Sequence, residues 1–150
     1  MKRLLTRLQR RSDRGAALVE FAFVSLLLVF LVYAIAAFGI LLSTKNMLTH
    51  AAAEGARSAL SVPDTATTAV RLQRVTDTIA TDLSSMGGNY SHLNVSATQV
   101  ACSSTDATAG QCVKVVLTYP WSTYPLIPMA PGMGLAMPNT VAATAVVRIS

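Results

Sequence analysis

The 150-residue chain has little with which to do chemistry. Its two histidines, His50 and His92, lie far apart in sequence. No glycine-rich phosphate loop leads into a helix, and no Gly-x-Ser-x-Gly occurs. Past Glu20 the acids are Glu54, Asp64, Asp77, Asp82 and Asp106, and no pair has a spacing that suggests a metal or acid–base site. The two cysteines, Cys102 and Cys112, lack Cys-x-x-Cys spacing and have no histidine near them in sequence, which argues against zinc and redox motifs. No catalytic residue, cofactor, metal or small-molecule substrate is therefore expected, and the chain reads as a non-enzyme. A surplus of basic charge usually points to nucleic acid. Here the formal +5 is confined to the first 15 residues, where Lys2, Arg3, Arg7, Arg10, Arg11 and Arg14 face one acid, Asp13. The remainder is balanced, without a basic face interleaved with aromatics, so no nucleic-acid partner is expected.

What the chain does have is a long apolar run. Phe21 to Leu42 is 22 residues without a charge. As a helix it would be ~33 Å long, enough for a hydrocarbon core of ~30 Å. The basic cluster ahead of it fits the positive-inside rule, with the N-terminus cytoplasmic and everything from Ser43 onward across the membrane. A lipid bilayer is thus the first expected partner. At the start of the span sits Glu20. A carboxylate in hydrocarbon is expensive, though at the edge of a span it can snorkel to the headgroups. Ala34-Ile35-Ala36 also fits a signal-peptidase site, but the apolar run continues past it to Leu42. Two alternatives stay open: an uncleaved single-pass envelope protein with an outer binding domain, and a soluble domain secreted after a cut at Ala36.

A basic leader, a glycine, four residues, a glutamate and an aromatic read here as Gly15-Ala16-Ala17-Leu18-Val19-Glu20-Phe21. This pattern resembles the N-terminus of type IV pilin-like precursors, in particular the TadE-like pseudopilins of tight-adherence (Flp) pilus systems. A second block, Ala52-Ala53-Glu54-Gly55-Ala56-Arg57, is similar to a packing motif of the same family. The resemblance implies a prepilin peptidase as partner, cutting after Gly15 to leave Ala16 as the mature N-terminus. It implies that Glu20 pairs with the new α-amine, on its own subunit or a neighbour, with Phe21 part of the recognition pattern. Other pilin or pseudopilin subunits and the assembly machinery would be further partners, in pilus assembly that serves adhesion. The expected place is the inner membrane, with the C-terminal domain periplasmic and incorporation into an extracellular pilus open.

The expected architecture is α+β and pilin-like. Residues 1–15 form the leader, 16–62 a long helix with a transmembrane part near 18–42, and 63–150 a periplasmic domain. Nothing breaks the helix before Pro63. Met47, Ala51 or Ala52, Ala56, and Ala59 or Leu60 recur at helical spacing and place small residues on one face. A second helix is expected from a cap at Asp64 or Thr65, with Leu72, Val75, Ile79, Leu83 and Met86 as its core stripe and Gly87-Gly88 at its end. Three half-buried antiparallel strands follow from period-2 alternation. Their alternating apolar residues are Leu93, Val95 and Ala97 in the first, and Val113, Val115, Leu117 and Tyr119 in the second. In the third they are Val141, Ala143, Ala145, Val147 and Ile149.

A bridge between Cys102 and Cys112 would staple the first hairpin at its tip, at ~3 kcal/mol by loop entropy; free thiols are the alternative. The segment from Pro120 to Pro138 is apolar and proline-rich. It must fold back over the sheet or meet a partner, in which case Trp121, Tyr124 and Ile127 are the anchors.

Overall fold

A computed structural model of the chain describes residues 2–85, 91–102, 110–128 and 132–149; the side chains of 2–14 and of Leu135 are outside that description. Met86, Gly87-Gly88, the middle of the cysteine loop and Met129 to Pro131 also lie outside the described residues. Two units are present, residues 1–40 and 41–150. The described elements are α1 (Lys2–Ser58), which ends in a short 3-10 turn (Ala59–Ser61), α2 (Thr68–Ser85), β1 (Asn94–Ala101), β2 (Gln111–Tyr119), a 3-10 turn (Met133–Leu135) and β3 (Val141–Arg148). The protein is α+β: a long apolar N-terminal helix, a second helix and a three-stranded antiparallel sheet.

Helix α1 stops where its sequence requires. Val62, ahead of Pro63, is extended at φ −91° and ψ 128°, as the proline ring demands. A turn then closes from the Ala66 N–H to the Pro63 carbonyl, 3.0 Å. Thr67 caps α2, its hydroxyl accepting from the Val70 N–H at 3.5 Å and its carbonyl from the Arg71 N–H at 3.2 Å. The helix thus begins later than a cap at Asp64 or Thr65 would set it. The turn over residues 63–66 consumes that stretch first.

The sheet is a meander in the order β1-β2-β3. Its register stacks inward side chains in rows: Val95 opposite Leu117 and Ala143, Ala97 opposite Val115 and Ala145, Gln99 opposite Val113 and Val147. Burial alternates accordingly, and Val113, Val115 and Leu117 of the central strand are fully buried. The second half of α1 buries Leu41, Thr44, Leu48, Ala51, Ala52, Gly55, Ala56 and Ala59, one stripe at helical spacing. Leu48, not Met47, holds the first fully buried position after the span, and Leu60 is exposed. Of the remaining two elements, α2 lies on β1, where the Thr68 hydroxyl bonds the Gln99 side chain at 3.0 Å.

The buried stripe of α2 is Arg71, Val75, Ile79 and Leu83, with Leu72 half-buried. Arg71 belongs to the inward face because its guanidinium is consumed by backbone. It donates to the Ala59 carbonyl at 2.9 Å and the Pro63 carbonyl at 3.3 Å, with Asp64 3.7 Å away. Carbonyls at a helix C-terminus have no intrahelical donor and carry partial negative charge. Arg71 answers both needs for α1 from a different helix. Arg71→Met keeps the aliphatic stem but orphans the Ala59 carbonyl, and should lower stability by ~1–3 kcal/mol. Urea denaturation of the detergent-solubilised chain measures this, and an unchanged midpoint would show that the carbonyl finds water instead.

Candidate functional site

The residues singled out by sequence fall in three places. Gly15, Ala16, Glu20 and Phe21 all lie on α1 and are all exposed. A methyl group added at Gly15 would meet nothing within 4 Å. Ala16 and Glu20 are one helical turn apart and so share a face, with Cβ atoms at neighbour distance of ~5–6 Å. Beyond them the apolar side chains point in every direction around the helix: Phe21, Phe23 and Leu26 are each 71% exposed. A helix apolar all round belongs either in a core or in a membrane. Little of this stretch is buried within the chain, so it is not part of the domain's own core, and its length and composition suffice to cross a bilayer. The chain therefore carries one helix compatible with a membrane anchor among the described residues.

The second place is the seam between α1 and α2. Ala52, Gly55 and Ala56 are buried, whereas Ala53, Glu54 and Arg57 face outward. The motif of residues 52–57 therefore splits by helical geometry into three inward and three outward members. Gly55 is its centre. A Cβ built there would stand 2.5 Å from Ile79 Cγ1 and 2.7 Å from its Cδ1, with Val75 Cγ1 at 3.6 Å. The helix gives up ~1 kcal/mol of propensity at a glycine relative to alanine, and the close approach to α2 is what that allows. At the other end of the seam, His50 Nδ1 lies 3.5 Å from Asp82 Oδ2. That carboxylate oxygen is buried and makes no hydrogen bond among the described residues. Protonated His50 would give it an ion-pair partner.

The third place is the disulfide and the proline-rich segment. Cys102 and Cys112 are bonded, with Cα atoms 5.0 Å apart. The Cys102 N–H also donates to the Gly110 carbonyl at 3.1 Å, and Gly110 takes φ 80°, a conformation that favours glycine. The segment from Pro120 returns on itself: the Ser122 N–H reaches the Asn139 carbonyl at 3.0 Å, and Met133 and Met137 are buried. Trp121 is fully buried and packs edge-on to Tyr119, ring centroids 6.3 Å apart. With no surface left to offer, it is a core residue rather than a partner anchor. Tyr124 is 44% exposed and stacks on His92 at 3.5 Å, while Ile127 is half-buried. The Tyr119 hydroxyl holds this outer layer by donating to the Tyr124 carbonyl at 2.8 Å.

Among the described residues no group of three metal-ligating side chains occurs. The polar depression along Arg74, Asp77, Thr81 and Asp82 runs on the flank of a single helix and brings no nucleophile to a base. What the geometry offers is surface for packing: an apolar stretch of helix with one acid at its start, and a domain closed tightly on the small-residue stretch that follows.

The expected packing motif of residues 52–57 contains Gly55, whereas Arg71 is absent from the expected core stripe of α2. The signal for Arg71 was its spacing of four from Val75, which continues the inward row. Leu48 was equally legible, four residues before Ala52.

Replacing Gly55 with valine should displace Ile79 and cost ~1–3 kcal/mol by overpacking. The companion change Ile79→Ala in the same chain should recover part of that loss. Thermal unfolding of the two variants is the measurement, and additive losses would show that the two positions do not touch.

Residues 15–57 match a protein-family model described as TadE-like protein. No curated protein and no solved structure matches the chain at comparable significance.

Proposed function

From the TadE-like match, which covers the acid, the apolar run and the buried seam, we propose that this is a pilus-associated structural protein, a minor pseudopilin anchored in the inner membrane. The match supports association with a Tad pilus system. The finer reading has three steps. A prepilin peptidase cuts after Gly15, removing the basic leader and with it the whole excess of positive charge. The new amine of Ala16 then lies one turn before Glu20, at the positive end of the helix dipole, where a carboxylate is favoured. Within one subunit, or between two, amine and carboxylate cancel two charges that would each be costly in an apolar setting. The exposed apolar helix packs against the corresponding helices of other pilin or pseudopilin subunits.

The observation that carries this reading is the position of Glu20, exposed on an otherwise uncharged face where the apolar run begins. The domain from residue 63 to 150 would lie in the periplasm, consistent with its disulfide. The leader would stay in the cytoplasm until it is cut. No catalysis is part of this role.

N-terminal sequencing of the protein from cells should begin at Ala16. Gly15→Leu should leave the precursor at full mass, and normal processing of that variant would dismiss the proposed cut. In contrast, Glu20→Ala should be processed at the ordinary rate yet reduce surface piliation. Wild-type piliation counted by electron microscopy would take the charge-pairing role from Glu20.

A further inference from the structure

The apolar run ends at a groove. Its helical wall is Leu41 and Leu42 with Lys45 beside them; its opposite wall is the entry to β3, formed by Pro138, Thr140, Val141 and Ala142. Leu41 is mostly buried while Leu42 is 59% exposed, so the floor of the groove is apolar and open at one side. Lys45 lies four residues from Leu41 and three from Leu42, on the same face of α1. It is the first charged residue after Glu20 in the sequence. No carboxylate lines the groove, and no ion pair to Lys45 occurs among the described residues. The rim adds one hydroxyl, Thr140, and the wall adds a proline that has no N–H to donate.

We propose that this groove binds one phospholipid from the leaflet on the domain's side, its phosphate on Lys45 and Thr140 and the start of an acyl chain against Leu41 and Leu42. The inference rests on the membrane-anchored reading above. Continuity with the span selects the occupant. Leu41 and Leu42 close the uncharged run, so Lys45 follows the hydrocarbon edge by about one helical turn, ~5 Å. That is the height of lipid phosphates. A soluble anion would find Lys45 but gain nothing from the leucines. An apolar peptide would fill the floor but leave the ammonium unanswered. A phospholipid supplies both groups at the required separation. Its effect would be to hold the start of β3 against the membrane surface.

The test uses the full chain in phosphatidylcholine vesicles containing a photoactivatable phosphatidylglycerol, with cross-linked peptides identified by mass spectrometry. Lipid should attach to the peptides holding Leu41–Lys45 and Pro138–Ala142. Lys45→Gln should lower the yield on the second peptide about fivefold, the effect of one basic residue at a headgroup surface. Ala142→Leu, which fills the groove without changing charge, should lower it similarly. Cross-links confined to residues 16–42, or a yield indifferent to both variants, would overturn the site. So would displacement by added inorganic phosphate, which would mark an anion site, or cross-linking of Pro138–Ala142 to a second protein copy instead of lipid. Carbonate extraction of the same vesicles separates the two levels. A chain that washes off defeats the membrane reading together with the groove, whereas one that stays and fails to cross-link defeats the groove alone.

Discussion

The closest approach of a side chain to a helix backbone is allowed by a residue without a Cβ, and Gly55 gives α1 such a place. Ile79 occupies the space a side chain would need. Around that point the seam is built from small residues, Ala51, Ala52, Ala56 and Ala59, all buried. Small residues bury little area each, so the seam gains its stability from proximity and dispersion rather than from large side chains. Proximity must be held, and Arg71 holds it. By bonding the carbonyls of Ala59 and Pro63 it ties α2 to the end of α1. The apolar rows of the sheet and the buried Trp121 then complete a core whose depth is determined by how closely the helices approach.

One helix meets two different surroundings. From Leu18 to Leu42 its large apolar side chains are exposed on most sides. From Thr44 to Ala59 the helix buries one stripe of Thr44, Leu48 and small residues and leaves its charged residues outward. The change occurs within about one turn, at Leu41 to Lys45, with no proline to mark it and no interruption of the helix. Periodicity alone distinguishes the two stretches. An apolar run without period suits a uniform solvent such as hydrocarbon, while a stripe of period near 3.6 suits one wall of a core.

That difference explains what could be read in the sequence. The long apolar helix, the small-residue face, the three alternating strands and the Val75, Ile79 and Leu83 part of the α2 row rest on local patterns, and each is present among the described residues. The disulfide was open until the hairpin register brought Cys102 to Cys112. Strand order was not legible, because three alternating strands pair equally well in several orders. Arg71 is absent from the expected core row, and for Trp121 a fold-back over the sheet and a partner contact both stayed open. Their positions depend on tertiary partners that no local pattern names, the open carbonyls of α1 for Arg71 and the ring of Tyr119 for Trp121. The role of Glu20 is not legible from one chain, where its side chain lies exposed on α1.

The glycine seam has a mechanical consequence. A pull on α1 would load the close approach of Gly55 to Ile79 and Val75. The guanidinium of Arg71 grips the far end, like a pin through the tip of a sliding bolt. Slippage of the helix relative to its neighbour would have to break those carbonyl bonds and drive the Cβ of Ala56 or another neighbour into the space beside Ile79. Sliding at this joint therefore meets a steric stop at Ile79 as well as the bonds of Arg71.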